Sequence, residues 1–402
     1  MNTDKTIIIA GAGPVGLMLA VLLGQAGIKV IIVDKGDVNN QDPRAATIHP
    51  ASLDLLDEAG VYRHIEPLGL ICPIVNYYDR QELLASFDHG LLADETRHPW
   101  VLQCEQDKLS RVLYGMAREL PSVEVHPQTE LIDFSIAADA VEVEVRGPDG
   151  VSEKFRGRYL IGADGASSTV RKMLGVAFEG FTYDERFMIV GTTYDFTQAG
   201  YAYRNYVSDP VEWCNLFKIS WKGPPGVFRL VAPVNPGELS DPEAALATCQ
   251  RKLQNFHPRS EPYDIVLYDS YVVNQRVAAT FRRGPVLLAG DAAHLNSPIG
   301  AMGMNSGVHD AFNLAHNLLK VLHDERDEGA LDLYVRQRRH IALMHVQTAT
   351  IANKKAMEQR DPETRRKYRE EMKQAAEDPA LAKKFLMRTS LIDSLRDAAT
   401  IA

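Results

Sequence analysis

Residues 6–16 read Thr-Ile-Ile-Ile-Ala-Gly-Ala-Gly-Pro-Val-Gly, and this stretch decides the fold. A short β-branched apolar run meets Gly11, Gly13 and Gly16 and opens an apolar helical run from Pro14 to about Ala26, which predicts strand, loop and helix. Glycine at 11 allows a tight turn, at 13 a close approach of backbone to a pyrophosphate, and at 16 packing of helix on strand. The N–H groups at the helix start, where Pro14 is tolerated, take the phosphate charge. Gly27 ends the helix, and Lys29 to Val33 is a second apolar run closing on Asp34 and Lys35. An acid about 20 residues past the loop is placed to accept hydrogen bonds from an adenosine ribose. These segments predict a βαβ unit that binds a dinucleotide.

The rest of the chain is compatible with an enzyme of two domains. Its 402 residues are long for one core, and 45% are hydrophobic. The net charge of -9, with both signs interspersed, argues against nucleic acid or an anionic membrane surface as the main partner. Cys72, Cys104, Cys214 and Cys249 lack close spacing, so neither a zinc site nor a disulfide framework is expected, and no metal. The N-terminus runs directly into a strand, and no apolar run approaches the ~20 residues of a membrane span, so a soluble cytoplasmic protein is expected.

Periodicity then outlines the organisation. A helix is predicted from Lys108 to Glu119, followed between Val123 and Ile161 by a meander, clearest in Val141-Glu-Val-Glu-Val145, which alternates with period two. From Arg186 to Tyr271 the chain is strand-rich and aromatic, interrupted by a helix from Asp241 to Phe256. This stretch, with the hairpin-like Val75 to Phe87, is assigned to a second, mainly antiparallel sheet. The apolar strand Pro285 to Ala289 returns to the first domain, which is therefore discontinuous. Helices are expected from Gly303 to Leu322, Gly329 to about Met357, Arg360 to Ala376 and Leu386 to Ala399, with Asp361-Pro362 and Asp378-Pro379 as start signals.

Two further motifs carry the chemistry: Gly162-Ala-Asp-Gly-Ala-Ser-Ser-Thr-Val-Arg171, and Gly290-Asp-Ala-Ala-His294 with Ser297-Pro298-Ile-Gly300 and Gly303-Met304-Asn305. With the N-terminal loop, Arg44-Ala45-Ala46 and Gln103, they resemble the single-component FAD-dependent aromatic hydroxylases of the p-hydroxybenzoate hydroxylase type over most of residues 5 to 320. The resemblance implies an α/β fold: a Rossmann-like FAD-binding domain from 1–74, 100–180 and 272–355, an inserted β-sheet substrate domain from 75–99 and 181–271, and a helical segment 356–402. It also implies that Gly11, Gly13, Pro14, Gly16, Asp34 and Lys35 hold the adenosine diphosphate half of FAD. Arg44 would contact the pyrophosphate and the flavin, Gln103 the ribityl chain, and Asp291 the ribityl or ribose hydroxyls. Gly300, Gly303, Met304 and Asn305 would present N–H groups to the flavin pyrimidine at a helix N-terminus, with Pro298 beside the ring. Asp164 and Gly165 match a second fingerprint associated with FAD and the nicotinamide cofactor, and Arg171 would hold that loop through carboxylates or backbone carbonyls. Asp34 stands where many relatives have glutamate, and the chain lacks the added thioredoxin-like domain of larger phenol hydroxylases, so it looks like the compact subgroup.

The chemistry implied is reduction of FAD by NADH or NADPH, addition of O2 at the flavin C4a as a hydroperoxide, and hydroxylation of a small electron-rich phenol, hydroxybenzoate or hydroxypyridine. Such a ring reacts faster as its anion, so the site is expected to lower the substrate pKa by positive charge or hydrogen bonds. Tyr201, Tyr203, Arg204, Trp213, Lys218 and Arg229 form the pool for those groups, and Tyr203, His49 and Pro298 are the candidates for contact with the reacting atoms. His294 is assigned to support of its motif. Neither Trp213 nor Trp221 has the neighbours a flavin halogenase would need. A non-hydroxylating FAD oxidoreductase, an epoxidase and a flavin-containing sensor of aromatic compounds stay open, as does a homodimer.

Overall fold

A computed structural model describes residues 5–37, 45–137 and 140–402. The strand Ile7–Ala10 lies at the centre of a six-stranded sheet, parallel to Tyr159–Gly162 on one side and to Val30–Val33 on the other. Val123–His126 extends this sheet beyond Val30–Val33, and Val286–Leu288 extends it beyond Tyr159–Gly162, both in parallel; Arg282–Arg283 is the one antiparallel edge. Every residue of Ile7–Ala10, Val30–Val33 and Tyr159–Gly162 is buried, as expected of parallel strands covered on both faces. Helix Pro14–Gln25 packs against helix Gly303–Leu322, and Leu131, Val141, Val143 and Val145 of the meander join the same core.

An eight-stranded sheet forms the second layer, in the order His294–Leu295, Ile265–Ala278, Phe178–Thr192, Val227–Val234, Cys214–Ile219, Arg204–Ser208, Ile74–Asp79, Glu82–Asp88. It is antiparallel except where Arg204–Ser208 runs parallel to Ile74–Asp79. Its two faces enter different cores. Cys214, Leu216, Phe228 and Leu230 pack with Cys249 and Leu253 of helix Pro242–Phe256, whereas Trp213, Phe217 and Val231 face Ile299, Met302 and the C-terminal helices. A strand alternates its side chains, so parity decides which face each residue joins.

Two helical expectations are corrected. Residues 329–357 are one helical run, but α-helix Gly329–Ile341 passes through a π-helical turn, Ala342–Gln347, into Thr348–Met357. The run expected from Leu386 to Ala399 is two helices, Pro379–Thr389 and Ile392–Thr400, broken at Leu391 with φ 63°. Leu386, Leu391 and Ile392 are all buried in one core, and the turn brings them to it together. Asp361 and Asp378 do cap their helices: Asp361 Oδ2 accepts from Thr364 N at 2.8 Å and Asp378 Oδ1 from Ala380 N at 2.8 Å.

Candidate active site

Four loops leave the carboxyl ends of parallel strands on the same edge of the first sheet: Gly11–Gly13, Asp34–Gly36, Ala163–Gly165 and Gly290–Asp291. This edge is where open α/β sheets bind ligands. Gly11 has φ 105°, and a Cβ there would lie 2.3 Å from the Ala163 carbonyl oxygen. A Cβ on Gly16 would lie 1.9 Å from the Gly11 oxygen, so the strand, loop and helix close only with glycine at both positions. At Gly13 a Cβ would meet nothing within 4 Å, so that backbone faces open space. Asp34 accepts from Ala12 N and Gly36 N, each at 2.6 Å, which fixes the loop and leaves lone pairs for a further donor. Lys35 beside it is exposed, and Arg44 lies outside the described residues.

The second fingerprint builds its own loop. Asp164 accepts from Ser168 Oγ at 2.5 Å, Thr169 N at 2.7 Å and Val170 N at 3.1 Å, which caps the short helix Thr169–Met173, while Gly165 takes φ 78°. Arg171 donates to the carbonyls of Ala292 at 3.0 Å and Ala166 at 2.9 Å, with its guanidinium 3.8 Å from the centre of the Phe178 ring. It thus ties one Gly-Asp motif to the other through backbone carbonyls.

Asp291 is exposed on the turn Gly290–Ala292, and buried Asp310 anchors that turn. Asp310 accepts from Gly290 N at 3.0 Å, His294 Nε2 at 2.7 Å and Arg338 Nε at 2.6 Å. Burial alone would raise the Asp310 carboxyl, but His294 and Arg338 more than offset it and hold it down to about 2. The expectation that His294 serves the motif's architecture agrees with this contact.

Between Asp291 and helix Gly303–Leu322 the chain turns through half-buried Pro298, Gly300 at φ 103° and Ala301 at φ 56°. Gly303 follows at the helix start, and Met304 packs against the core. Asn305 spends its amide on protein: Nδ2 donates to the Thr47 and Ala301 carbonyls at 2.9 and 2.7 Å, and Oδ1 accepts from His49 N at 2.9 Å. It therefore fastens segment 47–49 to the loop. Gln103 Oε1 accepts from Thr47 Oγ1 at 3.0 Å, but its fully buried Nε2 has no partner among the described residues.

Beyond this loop lies a narrow cavity of about 40 Å³. His49 and Gly300 form one side, Tyr77, Arg204 and Tyr206 the sheet wall, and Tyr368 of helix Pro362–Glu377 the cover. Arg204 is 3% exposed, and among the described residues no carboxylate pairs with it and its Nε has no hydrogen-bond partner. His49 Nε2 lies 2.9 Å from the Gly300 carbonyl, which can only accept, so Nε2 carries the hydrogen and Nδ1, buried and unpartnered, keeps a lone pair. His89 Nδ1 likewise donates to the Pro73 carbonyl at 2.8 Å. Burial first, then the Arg204 charge, lowers His49 and His89 each to about 3, so both imidazoles are neutral.

The sequence pool for this wall divides by parity. Tyr201, Tyr203 and Lys218 lie on the other face: Tyr201 packs 5.0 Å from Phe256, and Lys218 sits 4.9 Å from the Tyr203 ring and 3.5 Å from Asp195. They are corrected from substrate contacts to supports of the far core. Trp213 is on the cavity face but buried against Phe187 at 5.0 Å without lining the cavity, and Arg229 pairs in register with Phe217, also off the lining. Arg204 is the one member of the pool that reaches it. Sequence reasoning missed Tyr77, His89 and Tyr368; period-two alternation through the hairpin was the signal for Tyr77, and none marked the cover.

A dinucleotide cradle beside a narrow cavity lined by a buried guanidinium is the arrangement of an oxidoreductase. The family described as FAD binding domain matches residues 4–350. The chain is 34% identical to para-nitrophenol 4-monooxygenase of Pseudomonas sp. strain WBC-3 over 98% of each chain. It is 32% identical to 6-hydroxy-3-succinoylpyridine 3-monooxygenase HspB of Pseudomonas putida, over 84% of this chain and 85% of that one. The crystal structure of p-nitrophenol 4-monooxygenase PnpA from Pseudomonas putida DLL-E4 superposes with a TM-score of 0.90 at 30% identity, covering 96% of this chain and 99% of that one. The chain belongs to the single-component FAD-dependent aromatic hydroxylases.

The residues present fit FAD, on the open space at Gly13, the unpartnered amide of Gln103 and the exposed carboxylate of Asp291 at the mouth of the same edge. When bound, FAD supplies electron transfer and oxygen activation.

Proposed function

We propose that this flavoprotein monooxygenase hydroxylates a small phenol or hydroxypyridine, with NAD(P)H and O2 as co-substrates in the cytoplasm, and that Arg204 binds the ring oxygen as its anion. The observation that carries this reading is a buried guanidinium lining the cavity with no acid to neutralise it among the described residues. Two relatives named for a nitrophenol and a hydroxypyridine support the substrate class. Gly11, Gly13, Pro14, Gly16, Asp34 and Asp291 hold FAD on this reading, with Gln103 reaching the chain between its two halves. Pro298, Gly300, Gly303 and Met304 border the flavin, and Asp164, Arg171 and Asn305 keep the loops in place. Residues 75–99 and 181–271 wall the substrate, and 356–402 close it.

Each protein group then has a task at a stated atom. Arg204 attracts the phenolate oxygen and so lowers the substrate's pKa, and an anionic ring gives its electrons more readily to an electrophilic oxygen. His49 Nδ1, with its lone pair turned from Gly300, accepts a hydrogen bond from the hydroxyl but stays neutral, so the proton leaves to solvent. Tyr77 and Tyr206, stacked at 5.1 Å, bound the ring laterally. Burial of the cavity keeps water from the activated oxygen.

The test is a screen of phenols, hydroxybenzoates and hydroxypyridines for stimulated NAD(P)H oxidation, with labelled O2 traced into product. Oxygen incorporation is expected for a phenol or hydroxypyridine, and Arg204→Met should lower kcat/KM about 10- to 150-fold, as loss of a charge-assisted hydrogen bond of about 1.5–3 kcal/mol would. Stimulated NAD(P)H oxidation with no labelled product from any compound would favour the sensor reading instead.

A further inference from the structure

Three side chains with metal-ligating atoms meet away from the cavity, where the last helix docks. His340 stands near the end of helix Gly329–Ile341, His345 on the π-helical turn Ala342–Gln347, and Asp397 on helix Ile392–Thr400. Nε2 of His340 lies 3.1 Å and Nε2 of His345 2.8 Å from the same Oδ2 of Asp397. One ligand atom from each residue falls within 4.8 Å of the other two. The π turn makes this convergence. In an unbroken α-helix, side chains five residues apart diverge by about 140°. A turn closed by i→i+5 hydrogen bonds brings them back to one face, and such turns are often found at functional sites.

We propose that His340, His345 and Asp397 form a binding site for one divalent transition-metal ion, with Zn2+ the best match. Two imidazoles and a carboxylate are a donor set that suits Zn2+, with water in the fourth position. Tetrahedral bonds of about 2.0–2.1 Å put ligand atoms roughly 3.3 Å apart, so each Nε2–Oδ2 pair opens by only roughly 0.2–0.5 Å to admit the ion. The side chains are 41%, 27% and 39% exposed, which gives the ion a path from solvent. The bound ion staples helix Ile392–Thr400 to the run 329–347. Thr389, which ends the preceding helix, lines the cavity, eight residues before Asp397.

The experiment uses the flavin-loaded protein, stripped with a chelator and titrated with Zn2+ by calorimetry. One Zn2+ per chain is expected, with a rise in the thermal midpoint. His345→Gln keeps an N–H that can reach Asp397 but is a poor ligand, and it should bind Zn2+ at least about tenfold more weakly with unchanged flavin content. Equal affinity in His345→Gln and wild type, or less than one ion per chain, would overturn the site. X-ray absorption of the zinc-loaded wild-type protein needs no variant: two imidazole shells support the proposal, and an all-oxygen shell overturns it.

Discussion

At the residue scale, Gly11 and Gly13 separate folding from cofactor binding. Gly13 has φ -75° and open space before it, so Gly13→Ala is expected to leave the apoprotein as stable or up to about 1 kcal/mol more stable, through the unfolded chain, while obstructing the pyrophosphate and losing flavin. Gly11→Ala, with φ 105° and backbone 2.3 Å away, should lose both. Asp291→Ala should fold and lose FAD; the bound-flavin absorbance and melting midpoint of the three variants check these outcomes together. The glycines, Asp34 and the two Gly-Asp motifs were legible because backbone geometry admits few residue types there. Asp164 and Asn305 were legible as part of the site but not in their task, because a polar side chain in a motif can face the ligand or brace the loop, and only the folded partners decide.

At the element scale, helix Pro362–Glu377 is held over the hairpin by buried Asp79, which pairs with Arg365 and Arg369, while Glu82 accepts from Arg369 at 2.6 Å and Lys373 at 2.8 Å. Tyr368 of this helix covers the cavity. Asp79→Ala leaves Arg365 without its carboxylate while Arg369 keeps Glu82, and should cost about 1.5–3 kcal/mol of stability. In the folded fraction it should raise KM more than it lowers kcat, by releasing the cover; an unchanged KM would show that the helix does not close the cavity. Helix Pro14–Gln25 and the parallel strands Ile7–Ala10, Val30–Val33 and Val286–Leu288 were readable from apolar runs, whereas Val123–His126 and Tyr159–Gly162 lay within the stretch expected as a meander and joined the parallel sheet instead. The second sheet was readable as a sheet, but Tyr201, Tyr203 and Lys218 were placed on the wrong face, because both faces are buried and hydrophobicity cannot tell one from the other. The break at Leu391 was hidden because helical periodicity continues across it.

At the scale of the whole molecule, three buried histidines set the acid limit. His49, His89 and His309 are each lowered to about 3, mainly by burial, with Arg204 adding to the first two and Arg338 to the third. The unfolded chain binds these protons near pH 6.5 and the folded one does not, so stability is complete above about 6.5 and falls as pH drops toward 3. Each histidine contributes about 1.4 kcal/mol per pH unit in that window. The melting midpoint should therefore fall between pH 7 and 5, and a flat profile would show these imidazoles to be less buried. The central claim is that the cavity holds an aromatic hydroxyl as its anion against Arg204. It is tested most directly by titrating the flavin-loaded protein with a nitrophenol at a pH one unit below the ligand's own pKa, and reading the ligand's absorbance. The bound ligand should show the phenolate spectrum in the wild type and lose it in Arg204→Met. A bound ligand that stays neutral in the wild type, or stays anionic without Arg204, would contradict it.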